Sequence, residues 1–146
     1  MNKLAQWIYA YKLCRKYNIL WMPVFRLSHA EFKMTYYKDY KKTECTVFIN
    51  PFYQGFMDSF LHEVGHILRH RRMYYRAKSC AEYEQSVADT MKEEYIAWKF
   101  AKRVQKNRFD STRARELFQT YWKRAKREYG CAQKATDVFH SYDRML

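Results

Sequence analysis

"CTVFINPFYQGFMDSFLHEVGHILRH", residues 45–70, changes its period halfway along. From Cys45 to Pro51, β-branched and aromatic residues at close spacing predict a strand. Beyond the proline, Phe60, Leu61, Val64, Ile67 and Leu68 recur at helical spacing. That pattern predicts a helix, capped by Asp58 and running to about Arg72.

Two further strand-like runs precede this stretch, "ILWMPVFRL" (19–27) and "EFKMTYYK" (31–38). Pro23 suits an edge or a bulge in the first of them. The charged "KDYKKTE" (38–44) reads as a hairpin connection between the last two strands. Ahead of them, residues 3–17 place Leu4, Trp7, Ile8, Tyr11 and Leu13 mainly on one side of a helix, with Lys3, Lys12, Arg15 and Lys16 elsewhere.

Downstream, helices are expected over 80–106, from Asp110-Ser111-Thr112 to near Gly130, and over 133–144. Ser111 or Thr112 is the expected cap of the middle one, with Glu116 near its first turn. The order gives an α+β domain: an N-terminal helix, a small three-stranded twisted sheet, then a helical bundle. At 146 residues, positions 1–146 make one domain with one core.

Composition narrows the class. Apolar residues are 48% of the chain, with three glycines and two prolines, which suits a globular protein rich in regular structure. No run approaches the ~20 apolar residues of a membrane helix. The N-terminus alternates charged and apolar residues and lacks the apolar core and cleavage site of a signal peptide. An intracellular, cytoplasmic location without membrane attachment is therefore expected. Cys14, Cys45, Cys80 and Cys131 stand far apart with no C-x-x-C pair, so reduced thiols are expected rather than a cysteine zinc cluster or a disulfide framework.

Lys and Arg total 28 against 15 acids, a net charge of +13. Such a field attracts nucleic acid or an acidic protein. Most of the 28 aromatic residues (14 Tyr, 10 Phe, 4 Trp) are expected in the core.

Within the central helix, His62 and His66 are four residues apart. On a helix this puts them on one face with Cβ atoms roughly 5–6 Å apart, so both imidazoles can reach one zinc at ~2.0–2.1 Å. Glu63 then stands beside the metal, where it can take a proton from a zinc-bound water whose pKa falls toward ~7. This is the H-E-x-x-H arrangement of zinc peptidases. Gly65 is a poor helix former, so a close neighbour is expected there. His70 lies ~12 Å along the axis from His62, too far to share the ion, and is expected to be a bystander.

A third ligand has to come from elsewhere. In "KEEYIAWKFA" (92–101), Glu94, Ala97 and Ala101 share a helix face, and the two alanines allow close approach to another helix. Glu94 is the candidate from that face, and Glu93 is its rival. His140, Tyr142 and Tyr121 are candidates for steadying a tetrahedral oxyanion, and the strand at 45–50 for pairing with an extended substrate.

Taken together, "FINP…FLHEVGHILRH…EEYIAWKFA" resembles the ImmA/IrrE-type metallopeptidases. Their pattern has a strand ending in I-N-P, a helix with H-E-[LIV]-G-H-x-x-x-H, and a later helix reading E-x-x-A-[ND]-x-F-A. The match spans about residues 46–101. It implies a thermolysin-like (gluzincin) Zn2+ site with His62, His66 and Glu94 as metal ligands and Glu63 as catalytic base, and a zinc metallopeptidase acting on a protein or peptide substrate. Where the family has a small polar residue four after the ligand glutamate, able to orient a histidine, this chain has Trp98.

Proteins of this type are associated with cleaving or inactivating helix-turn-helix repressors. A small basic version without such a segment of its own would suit a phage or mobile element. The rival expectation is a basic nucleic-acid- or protein-binding module with a structural zinc. It rests on "RHRRMYYRAK" (69–78), "KFAKRVQKNR" (99–108) and "KRAKR" (123–127).

Overall fold

The computed structural model describes residues 1–37, 42–76, 87–129 and 133–146. Asn2 opens the first helix, its side chain accepting the Ala5 N–H at 2.8 Å, and α1 runs over Lys3–Tyr17. Asn18, in the left-handed region at φ 52°, closes it. The chain then forms β1 (Leu20–Pro23), β2 (Glu31–Tyr37) and β3 (Lys42–Ile49). The helices α2 (Phe56–Arg76), α3 (Val87–Gln105), α4 (Ser111–Tyr129) and α5 (Gln133–Met145) follow, with a 3-10 turn at Lys106–Arg108. This is the α+β order expected. Residues 38–41 of the expected hairpin connection, the start of the expected 80–106 helix, Gly130, Cys80 and Cys131 lie outside the described residues.

The sheet order is β1-β3-β2, with β1 parallel and β2 antiparallel to the central β3. Along β3 the alternation is plain: Cys45, Val47 and Ile49 are buried, Thr46 and Phe48 half-buried, and Glu44 exposed. Trp21 and Phe32 flank Val47 in register. They carry this face onto α2, Trp21 against Phe56 and Phe60, and Phe32 against His66.

Every residue of α2 from Phe56 to Ile67 is buried, as a helix must be when it has neighbours on all sides. Arg71, further along, reaches back to the carbonyls of Tyr17 and Asn18 and so satisfies the C-terminus of α1. No helix among the described residues is long and apolar enough to cross a membrane.

Five local expectations change. The run at 19–27 yields only a four-residue strand, and Lys42–Glu44 of the expected connection belong to β3. The face of α1 that docks is not the Leu4–Ile8–Tyr11 stripe, which is exposed. It is Ala10 and Cys14, with Trp7 donating its indole N–H to the Pro51 carbonyl at 2.9 Å. Asp58 does not cap its own helix: it is buried in the first turn of α2, where it accepts from the Asp110 N–H at 3.0 Å and from Gln105 at 3.2 Å. Asp110, rather than Ser111 or Thr112, caps α4 by accepting the Arg113 N–H at 3.0 Å.

Candidate metal centre

The site depends on how close two helices come. A Cβ placed on Gly65 would stand 3.0 Å from both the Cα and the carbonyl oxygen of Ala97. Glycine thus lets the backbone of α3 lie directly on α2, and one turn before Ala97 the side chain of Glu94 meets the histidines. His62 Nε2 lies 3.0 Å from Glu94 Oε2 and His66 Nε2 lies 3.0 Å from Glu94 Oε1. All three side chains are buried, and one ligand atom from each lies within 4.8 Å of the others, so the group can hold a metal ion. Two imidazoles and one carboxylate are donor types that divalent metal ions accept.

Aromatic faces hold the imidazoles in place. Trp98 stacks on His62 at 4.0 Å between centroids and 20° between planes. Phe32 stacks on His66 at 5.3 Å and 19°. Thus the position where a small polar residue would orient a histidine by hydrogen bonding carries an indole that orients it by its face. His66 Nδ1 is buried without a hydrogen-bond partner. Glu63 follows His62 with its Oε1 3.2 Å from His62 Nδ1. Glu93, the rival of Glu94 in α3, goes elsewhere: it is buried and paired with Arg69 Nε at 2.9 Å.

These contacts set the charges. Burial alone would lower the His62 pKa, but the adjacent Glu94 carboxylate, joined by Glu63, raises it to about 9. Burial likewise works against the Glu94 carboxylate, yet His66 and His62 hold it well below the usual carboxylate range. His70 is pushed the other way, to about 4, by burial and then by His66 and Arg69. It sits against Phe32, 6.2 Å from the His66 ring, and outside the metal-holding group.

The group forms the floor of a cavity of about 420 Å³. Residues 29–32 make one wall, and Leu117, Thr120, Tyr121 and Arg124 of α4 make the other. Glu63 lines the cavity beside the histidines. Of the three oxyanion candidates, only Tyr121 faces this space. Tyr142 stacks on Tyr95 at 4.3 Å, and His140 is exposed beside a separate groove between α4 and α5. The strand at 45–50, expected to pair with a substrate, is the central β3 and is already hydrogen-bonded on both sides; β2 is the edge beside the cavity.

Two contributors escape a reading of the sequence, Phe32 and Arg124. Phe32 is one of many aromatics in its run, though inward alternation with Met34 marks its face. Arg124 sits inside a basic run, yet its spacing from Leu117 and Tyr121 puts it on their side of α4. Compared with protein-family models, curated proteins and solved structures, the chain matches none.

Proposed function

We propose that the chain is a zinc-dependent metallopeptidase that hydrolyses peptide bonds of an intracellular regulatory or DNA-associated protein. One observation carries the reading: two imidazoles of one helix converge on a carboxylate of the next at 3.0 Å each, at the floor of an open cavity that Glu63 also lines. The resemblance of residues 46–101 to the ImmA/IrrE-type peptidases agrees with it.

His62, His66 and Glu94 would hold the ion, which would supply a Lewis acid and lower the pKa of water when bound. Glu63 accepts the proton from the attacking water and returns it to the leaving amine. Its Oε1 faces His62 Nδ1, which leaves Oε2 for that transfer. Tyr121, on the α4 wall, donates to the oxyanion. An extended substrate pairs with the outer edge of β2, unpaired among the described residues, rather than with β3, its backbone adding a strand to the sheet.

The test combines metal content with cleavage. Zinc should bind at one per chain, be lost in His66→Ala, and be retained in Glu63→Gln while peptide cleavage falls by at least a hundredfold. Undiminished cleavage by Glu63→Gln would refute this mechanism.

A second reading, a basic module that binds nucleic acid and uses the metal for structure, draws on the exposed Lys123, Lys126 and Arg127 of α4 and Lys102, Arg103, Lys106 and Arg108 near the end of α3. It requires a salt-sensitive shift of non-specific DNA, because phosphate contacts release counterions.

A further inference from the structure

Beside Tyr121, the cavity's α4 wall carries a residue that bond cleavage does not use, Arg124. Leu117, Thr120, Tyr121 and Arg124 line it at spacings of three, four and seven, one face of a helix. Leu117 and Tyr121 are half-buried against the core, while Arg124 is exposed at the end of the row. Its guanidinium lies over the Tyr121 ring at 5.2 Å from the centroid, which limits the positions the side chain samples.

A surface arginine is ordinarily just solvated, and this chain has 28 Lys and Arg. Here the distribution argues otherwise. Arg124 is the one lysine or arginine among the described residues that line this cavity. Of the acids that share the cavity, Glu94 is engaged by the two histidines and Glu63 by His62, while the exposed Glu31 lies 3.8 Å from His29. No carboxylate among the described residues forms an ion pair with Arg124. The planar guanidinium offers a fork of N–H donors that matches a carboxylate.

We propose that Arg124, steadied by Tyr121, is a specificity residue that receives a carboxylate of the bound peptide, so that the cavity selects segments bearing Asp or Glu. The inference rests on the peptidase reading for its biological meaning but concerns binding first. The net charge of +13 acts in the same direction, drawing acidic segments toward the surface before the cavity sorts them.

The probes are rhodamine-labelled decapeptides in pairs, each carrying one glutamate or one glutamine at successive positions. Their binding to zinc-loaded Glu63→Gln protein is read by anisotropy, and their cleavage by zinc-loaded wild type is read by mass spectrometry. At one or two positions the glutamate peptide should bind about tenfold more tightly, the ratio one charge-assisted hydrogen bond supports. Adding Arg124→Gln should abolish that ratio, Arg124→Lys should restore part of it, and Arg124→Glu should turn the preference toward the glutamine peptide at the same positions. In cleavage the difference should fall on KM and leave kcat within about twofold.

Equal binding of both members at every position, or a ratio unchanged by Arg124→Gln, overturns the proposal even if cleavage proceeds. A drop in kcat of equal size for acidic and neutral peptides also overturns it, because Arg124 would then act on the transition state. Absence of any cleavage by wild type counts against the peptidase reading alone, since the binding arm still decides the role of Arg124.

Discussion

Gly65 and Ala97 touch backbone to backbone: a Cβ on the glycine would stand 3.0 Å from the alanine's Cα and carbonyl oxygen, and 3.2 Å from Phe100 Cβ. Neither of the first two atoms is the far end of a flexible side chain. Room for a methyl group can come only from moving α3, the helix that carries Glu94.

Gly65→Ala therefore sets two effects against each other. Alanine gains about 1 kcal/mol in helix propensity, and overpacking costs about 1–3 kcal/mol. A net loss of about 1 kcal/mol is expected in urea unfolding of the metal-free protein. The more telling readout is zinc affinity, which should fall by at least tenfold as Glu94 is carried away from His62 and His66. A stabilised variant with unchanged zinc affinity would show that the helices have slack there.

Glu93 and Glu94 are adjacent on α3 and should respond in opposite ways. Glu94→Gln should lose stoichiometric zinc, because it removes the carboxylate that meets both imidazoles. Glu93→Gln should keep the zinc but destabilise the fold by about 2–4 kcal/mol, since it leaves the partly buried Arg69 without its carboxylate partner. Metal analysis and thermal unfolding of the two variants check this together. Zinc lost from Glu93→Gln and kept by Glu94→Gln would reverse the assignment.

Trp98 is expected to act on the metal through His62. Trp98→Phe keeps an aromatic face on the imidazole and should change zinc affinity by less than about threefold. Trp98→Ala removes that face and should weaken affinity by about 10–100-fold, the usual effect of losing a group that orients a ligand. It should also cost about 3–5 kcal/mol of stability, as large core truncations do. Competition against a chromophoric chelator measures the first effect, and Trp98→Phe separates it from unfolding.

Much of this was legible in the sequence because the decisive signals are local. The change of period after Pro51 marks β3 and α2, and the spacing of His62 and His66 follows from the helix. The alanines at 97 and 101 mark the face of α3 that carries Glu94. What was not legible depends on which of two similar faces meets a neighbour. In α1 the large residues Leu4, Ile8 and Tyr11 form a stripe, yet the helix docks through the small Ala10 and Cys14, which let it lie close. Asp58 has the spacing of a cap, but its partners, Gln105 and the Asp110 N–H, are about fifty residues away. Arg124 is one of several cations in its run, and only the placement of α4 beside the cavity sets it apart.

The charges at the centre predict how metal binding depends on pH. In the metal-free protein Glu94 and Glu63 raise the His62 pKa from 6.5 to about 9, overcoming the effect of burial. At pH 7 the imidazole therefore carries a proton that the metal must displace. Zinc affinity should rise about tenfold per pH unit up to about pH 9 and level off above it, with about one proton released per ion bound.

Metal-free stability should run the other way. A raised histidine pKa adds stability that is complete below 6.5 and lost as pH rises through about 9. The lowered Glu94 pKa adds stability that is present above 4.5 and lost as pH falls toward its depressed value. The pair thus contributes most between those limits, about pH 4.5–6.5, and zinc should stabilise the protein most where the pair alone is weakest. Calorimetry in buffers of different ionisation enthalpy gives the proton count, and urea unfolding with and without zinc at pH 6 and 8.5 gives the crossing trends. A zinc affinity flat over that interval would mean that His62 is already neutral in the metal-free protein.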